Sequence, residues 1–129
     1  MQTQSIQGTV SMHKKPLAVL LSMPLIITSS FAFADDTQLL FNSSRNQLGL
    51  IKYCVAEGHI SDNVVSAYEK IITMLPAPAD ASQGDQYESA GEQGYSFDGE
   101  NRTSMQDIAN GTGTSIADHC AQFAALTNQ

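Results

Sequence analysis

The region from Leu48 to Leu75 constrains the fold most, because it contains two consecutive apolar patterns with the spacing of an α-helix. The two patterns meet at Gly58-His59, where the glycine is a favoured helix terminator. In the second pattern the apolar side chains share one helical face: they are Val64, Val65, Tyr68, Ile71, Ile72 and Leu75. Ser61 is the expected N-cap of this second helix, and Pro76 ends it. The region therefore predicts two helices joined by a turn.

Residues 12–34 have the three parts of a secretory signal peptide. Lys14 and Lys15 provide a basic start, residues 17–27 are apolar, and Ala32-Phe33-Ala34 has the small-x-small pattern of a cleavage site. The apolar part is shorter than the roughly 20 residues that cross a membrane, so a retained anchor is the less favoured alternative. We expect residues 1–11 to be an upstream extension and residues 12–34 to be cleaved. Residues 35–129 then form a single domain in the periplasm or outside the cell.

Cleavage would leave a strongly acidic protein. Residues 35–129 contain four Lys and Arg side chains against thirteen Asp and Glu, a formal net charge of −9. A surface of this sign repels nucleic acid and anionic lipid headgroups. The charge therefore argues against nucleic-acid binding, and we expect no stable membrane insertion after cleavage.

Cys54 and Cys120 are the only cysteines in the sequence. An even pair in a small exported domain usually forms a disulfide, because exported compartments are oxidising. Cys54 lies on the first helical pattern and Cys120 on an apolar face of the last, so a bridge would join the two ends of the domain. Such a bridge stabilises the fold by at most ~4 kcal/mol through chain entropy. The alternative is a metal site that includes His59 and His119, but these spacings match none of the usual zinc-binding pairs.

Helical patterns also occur on both sides of the central region. The first runs from Thr37 to Glu57, and its expected buried side chains are Leu40, Phe41, Leu48, Ile51 and Val55. Two short helices end the chain, one from Ser104 to a stop at Asn110-Gly111 and one from Ser115 to Leu126. No alternating strand pattern is visible. The sequence predicts an all-α fold, a small bundle of four to five short helices stapled by one disulfide.

Residues 80–99 are less regular, because they contain few large apolar side chains. Tyr87, Gly91 and Gly94 recur at helical spacing and form a stripe that is rich in glycine. Each helical glycine costs about 1 kcal/mol relative to alanine, so this segment either packs very close to a neighbour or is poorly formed. We predict a third helix here, followed by a turn at Phe97-Asp98-Gly99.

The sequence contains no catalytic or cofactor motif. Asp118-His119-Cys120 has the residue types of a nucleophilic relay, but consecutive residues of a helix point in different directions. The loop that begins at Asp80 departs from a calcium-binding EF-hand at both defining positions, where Asp85 and Gly91 stand. We therefore expect a non-enzymatic protein that holds no metal or other cofactor.

Three classes of function remain. The favoured class is a protein-binding module, such as an inhibitor, an immunity protein or an accessory subunit, whose partner is a basic exported protein. The alternatives are an acid-stress periplasmic chaperone, since acid would reverse the sign of the charge, and a small-ligand carrier with an apolar cavity. In general architecture, a small exported helical protein with one bridge is similar to bacterial periplasmic acid-stress chaperones and to immunity proteins that neutralise cell-wall-degrading toxins. No sequence motif of either group is present.

The expected contact surface lies between Asp80 and Glu100. This segment contains six carboxylates and has almost no basic residues close to it in sequence. Tyr87 and Tyr95 are the expected apolar anchors, because tyrosine is frequent at interfaces, and Glu88 and Glu92 are the expected charged contacts. The alternative is an acidic face that is simply solvated.

Overall fold

The computed structural model describes residues 31–128, which form five helices and a two-stranded antiparallel hairpin. The elements are α1 (Phe31–Ala56), α2 (Asn63–Thr73), α3 (Gln83–Glu92), β1 (Tyr95–Phe97), β2 (Arg102–Ser104), α4 (Met105–Thr112) and α5 (Ile116–Thr127). The predicted helical bundle with one disulfide is confirmed. The predicted extension at 1–11 and most of the predicted signal peptide at 12–34 lie outside the described residues. None of the helices within residues 31–128 has the length and apolarity that crossing a bilayer requires.

Helices α1 and α3 run parallel and touch through their backbones. Gly49 of α1 lies against Gly91 of α3, and a Cβ placed on Gly49 would lie 2.1 Å from the carbonyl oxygen of Glu88. A Cβ placed on Gly91 would lie 2.3 Å from the carbonyl oxygen of Asn46. Residues 80–99 therefore take the first of their two predicted alternatives, in which glycine permits close packing with a neighbour. The third helix is confirmed, although Gly94 lies beyond its end in a left-handed conformation.

The disulfide lies in the core and joins α1 to α5. Cys54 and Cys120 are both fully buried, with their Cα atoms 5.6 Å apart. The buried apolar residues around them come from α1, α2, α4 and α5: they are Leu48, Leu50, Ile51, Val64, Tyr68, Met105 and Phe123. The predicted pairing of the cysteines is confirmed. The bridge closes most of the described chain into one loop, so it ties the last helix to the first.

The predicted starts of the last two helices at Ser104 and Ser115 are confirmed, and each serine is an N-cap. The Ser104 hydroxyl accepts a hydrogen bond from the amide of Asp107, and the Ser115 hydroxyl accepts one from the amide of Asp118. The Asp118 carboxylate in turn accepts a hydrogen bond from the backbone amide of Ser115, which completes a capping box. Helix α4 ends at Gly113, whose φ is +67°, and not at the predicted Asn110-Gly111. These signals are local, which is why the sequence alone indicates them.

Three features of the first two helices were predicted wrongly. Helix α1 begins at Phe31 and not at Thr37, and Leu40, which was expected to be buried, is 46% exposed. The N-cap of α2 is Asp62 and not the predicted Ser61. The Asp62 side chain makes no capping hydrogen bond.

The expectation that the chain has no strand is also wrong. β1 and β2 pair in antiparallel register, with Tyr95 opposite Ser104 and Phe97 opposite Arg102. Residues 98–101 form the loop, so the turn falls slightly later than predicted, and Gly99 adopts a φ of +105° within it. Strands of three residues are too short for an alternating pattern to be visible in the sequence.

The glycine contact between α1 and α3 predicts that a larger residue at Gly49 destabilises the fold. Gly49→Ala is expected to lower the free energy of unfolding by about 3 kcal/mol or more, because its Cβ would collide with backbone atoms that move only if the helices separate. Gly111→Ala is the matched control, since Gly111 is also helical and its added Cβ meets no atom within 4 Å. Chemical denaturation should show this control to be neutral or stabilised by up to about 1 kcal/mol. Equal stability of the two variants would contradict the close contact.

Candidate functional site

Glu88 lies at the centre of an ion-pair network between α1 and α3. Its carboxylate accepts hydrogen bonds from Arg45 Nε and Lys52 Nζ, and its side chain is only 12% exposed. Arg45 Nη2 also lies 2.8 Å from Asp85, and Lys52 Nζ lies 3.3 Å from Glu92. The hydrogen bond to Glu88 is the main reason that the pKa of Lys52 is raised, against the opposing effect of burial.

This network changes the interpretation of the acidic segment. Asp85, Glu88 and Glu92 were expected to be uncompensated, but α1 supplies two cations to them from positions far away in sequence. Glu88 is enclosed between the helices, and Glu92 keeps a half-exposed side chain. That these two residues contact a partner stays a prediction, now with less free charge to attract one.

The two predicted tyrosines lie on either side of the end of α3. The Tyr87 ring is half-buried, packs 4.9 Å from the Phe97 ring, and donates its hydroxyl to the Asp98 carbonyl at 3.3 Å. Tyr95 lies in β1 and is 36% exposed. Tyr87 and Glu88 line different depressions because they are consecutive in a helix, so the four predicted contact residues do not form one surface.

Asn46 fixes the hairpin to α1. Its side-chain amide donates to the carbonyl oxygens of Tyr87 and Tyr95 at 2.9 and 3.0 Å, and its Oδ1 accepts from the amide of Phe97 at 3.1 Å. Tyr95 and Phe97 present these backbone groups on the edge of β1 that faces away from β2. The buried Asn46 amide thus takes the place of a neighbouring strand. Sequence reasoning missed this residue, because it lies in a polar run, Asn42 to Asn46, outside the apolar pattern that identified the helix.

A groove of about 430 Å³ lies between α1, the hairpin, α4 and α5. Its apolar side chains are Leu39, Leu50, Tyr87, Phe97, Ile108 and Phe123. Leu39 stands in this lining although it is 59% exposed. Of these residues, only Tyr87 was part of the contact surface predicted from the sequence. The others come from four elements, α1, β1, α4 and α5, that only the folded chain brings together.

The groove is acidic in character. Among the described residues that line it, none is Lys or Arg, and Asp98 and His119 are the ionisable groups besides Tyr87. Arg45 and Lys52 form ion pairs with carboxylates of α3. Lys70 lies in α2, which does not line the groove. The Arg102 guanidinium lies 5.2 Å over the Phe97 ring and lines a separate depression beside α3.

The other sequence candidates have structural roles. The metal alternative based on cysteine is wrong, since Cys54 and Cys120 are bonded to each other. Over residues 31–128, no three His, Cys, Asp or Glu side chains gather as a metal site would require. The Asp118 carboxylate accepts a hydrogen bond from the Ser115 hydroxyl, which lowers its pKa, and His119 packs edge-on against Phe123 at 5.8 Å. The structure thus gives Asp118 a capping role in α5.

Comparison of the chain with protein-family models, with curated proteins and with solved structures finds no match.

The ion-pair network predicts unequal costs for two neighbouring glutamates. Glu88→Gln is expected to lower the free energy of unfolding by roughly 2 to 3 kcal/mol, because two cations lose their enclosed partner. Glu92→Gln is the control, since it removes the same charge at an exposed position and should cost less than about 1 kcal/mol. Urea denaturation of the two variants measures this difference. Equal costs would show that Glu88 is not central to the network.

The hairpin loop is predicted to loosen in acid. Asp98 Oδ1 accepts hydrogen bonds from the amides of Asn101 and Glu100 at 2.7 and 2.9 Å, and these bonds, that from Asn101 above all, lower the pKa of Asp98. A carboxyl with a lowered pKa stabilises the fold at pH values above its ordinary pKa, and this contribution is lost as the pH falls through the lowered value.

The measurement is the pH dependence of the Glu100 and Asn101 amide shifts in NMR spectra. Their transition should fall below the ordinary pKa of an aspartate, and the corresponding step should vanish in Asp98→Asn. A transition at or above the ordinary value would contradict this role of Asp98.

Proposed function

We propose that this protein is a small exported, non-enzymatic module that binds a basic protein, in the manner of an inhibitor, an immunity protein or an accessory subunit. The single observation that supports this most is the apolar groove whose ionisable lining contains a carboxylate and lacks, among the described residues, Lys and Arg. Apolar surface at the centre with charge at the edge is the usual anatomy of a protein interface. The buried disulfide is compatible with an oxidising, exported location.

The distribution of charge supports a basic partner. Of the thirteen carboxylates in residues 31–128, three share the cations Arg45 and Lys52. The other ten have no ion-pair partner within those residues. Their field attracts a positively charged protein over a distance of about one Debye length and speeds its association.

An acid-stress chaperone is a second candidate, supported by a different observation. Asp80, Asp98 and Asp118 each hold a turn or a helix start in the ionised form, and each has a lowered pKa because of those hydrogen bonds. Acid removes these bonds together with the net negative charge. The two candidates differ in when they bind, since a partner-binding module binds at neutral pH and an acid chaperone only after acidification.

The test is affinity capture at neutral pH from the exported fraction of the source cells, with the immobilised protein as bait. We expect a basic partner that is retained at about 0.1 M salt and released near 1 M, where the Debye length falls from about 10 Å to about 3 Å. Glu100→Lys, in the exposed loop that also contains Asp98, should reduce retention. Glu57→Lys, in the turn after α1, changes the net charge equally and should not.

Charge reversal of Glu88 is unsuitable for this test, because it would break the network between α1 and α3 and so confuse unfolding with loss of binding. A bait that retains no protein would contradict the proposal. So would a partner whose retention is indifferent to salt and equal in the two variants.

A further inference from the structure

We propose that the groove binds an amphipathic helix of the basic partner, with the apolar face of that helix against α1 and its Lys and Arg side chains toward Asp98. This inference rests on the proposed function and identifies both the contact site and the form of the partner segment. Four observations support it: the state of the β1 edge, the length of the groove, the exposure of Leu39 and the position of the charges.

The edge of β1 distinguishes a helix from a strand as the occupant. A peptide in the groove would bind as an added strand only if β1 offered free backbone groups on its outer edge. Two of the groups on that edge, the Tyr95 carbonyl and the Phe97 amide, are already bonded by the Asn46 side chain. Strand addition at β1 would have to break these buried bonds, so the groove favours an occupant whose own backbone bonds are internal, as in a helix.

The length of the groove suits a short helix. On α1 the lining runs from Leu39 through Ser43 and Gln47 to Leu50, which at about 1.5 Å per residue is roughly 16 Å, or about three helical turns. The opposite wall comes from the hairpin, α4 and α5, which contribute Phe97, Ile108 and Phe123. An amphipathic helix of about three turns places apolar side chains at matching intervals.

Leu39 is the apolar residue that an occupant would cover most. It is 59% exposed, although it stands beside the buried or half-buried apolar residues of the groove. The next residue, Leu40, is 46% exposed but does not line the groove, because consecutive residues of a helix point about 100° apart. The chain thus offers two neighbouring leucines of similar exposure, one in the contact site and one outside it.

The charges favour a basic occupant. Asp98 lines the groove from the hairpin loop, and no Lys or Arg is among the described residues that line it. An amphipathic helix with Lys or Arg beside its apolar face would therefore meet a carboxylate there and no like charge from the lining.

The experiment uses two synthetic amphipathic peptides of roughly 14 residues, about four helical turns. One has Leu and Lys at helical spacing, and the other has the same Leu pattern with Glu in place of Lys. Titration calorimetry with the disulfide-bonded protein should show binding of the Lys peptide and at least about tenfold weaker binding of the Glu peptide. Leu39→Ala should raise the Kd of the Lys peptide about tenfold, and Leu40→Ala by less than about twofold. Circular dichroism checks that both variants are folded.

The outcomes separate this inference from the proposed function. Failure of the Lys peptide to bind, or equal Kd values for Leu39→Ala and Leu40→Ala, overturns the helix-binding groove. If Glu100→Lys weakens the Lys peptide while Leu39→Ala does not, the acidic surface binds basic partners without the groove, so this inference fails and the proposed function stands. If both peptides bind equally well, charge does not select the partner, and the inference and its basis in the proposed function fail together.

Discussion

The backbone contact between α1 and α3 is the constraint on which the rest of the structure depends. Gly49 and Gly91 bring the two helices so close that a Cβ on either residue would overlap a carbonyl oxygen of the other helix. This closeness places the Glu88 carboxylate within reach of Arg45 and Lys52, and the Tyr87 carbonyl within reach of Asn46. A larger residue at either glycine would separate all of these groups at once.

The candidate groove is the joint product of two fixed points on α1. Asn46 anchors the hairpin to one part of the helix, and Cys54 anchors α5 two turns further along through the disulfide. Phe97 and Phe123 are thereby held on walls that cannot collapse onto each other without breaking a buried hydrogen bond or a covalent bond. A rigid groove lowers the entropic cost of ordering the site when a partner binds.

Charge in this protein has two separate uses. The cations Arg45 and Lys52 pair with carboxylates at the α1–α3 contact, of which the Glu88 carboxylate is the most enclosed. Because these two cations are committed there, the groove and the hairpin loop keep their negative charge uncompensated within the described residues. The internal ion pairs thus contribute indirectly to the acidic surface that the proposed function requires.

The sequence by itself determined the features whose signals are local or covalent. Helical periodicity identified the buried face of α2, serine caps marked the starts of α4 and α5, and the cysteine count identified the bridge. Only the tertiary structure decided the pairing of Glu88 with Arg45, which are 43 positions apart, and the use of Asn46 as a substitute strand. It also assembled the groove from five elements, α1, α3, β1, α4 and α5. The physical reason is that periodicity and capping act within one turn of a helix, whereas these contacts depend on how closely two glycines let α1 and α3 approach.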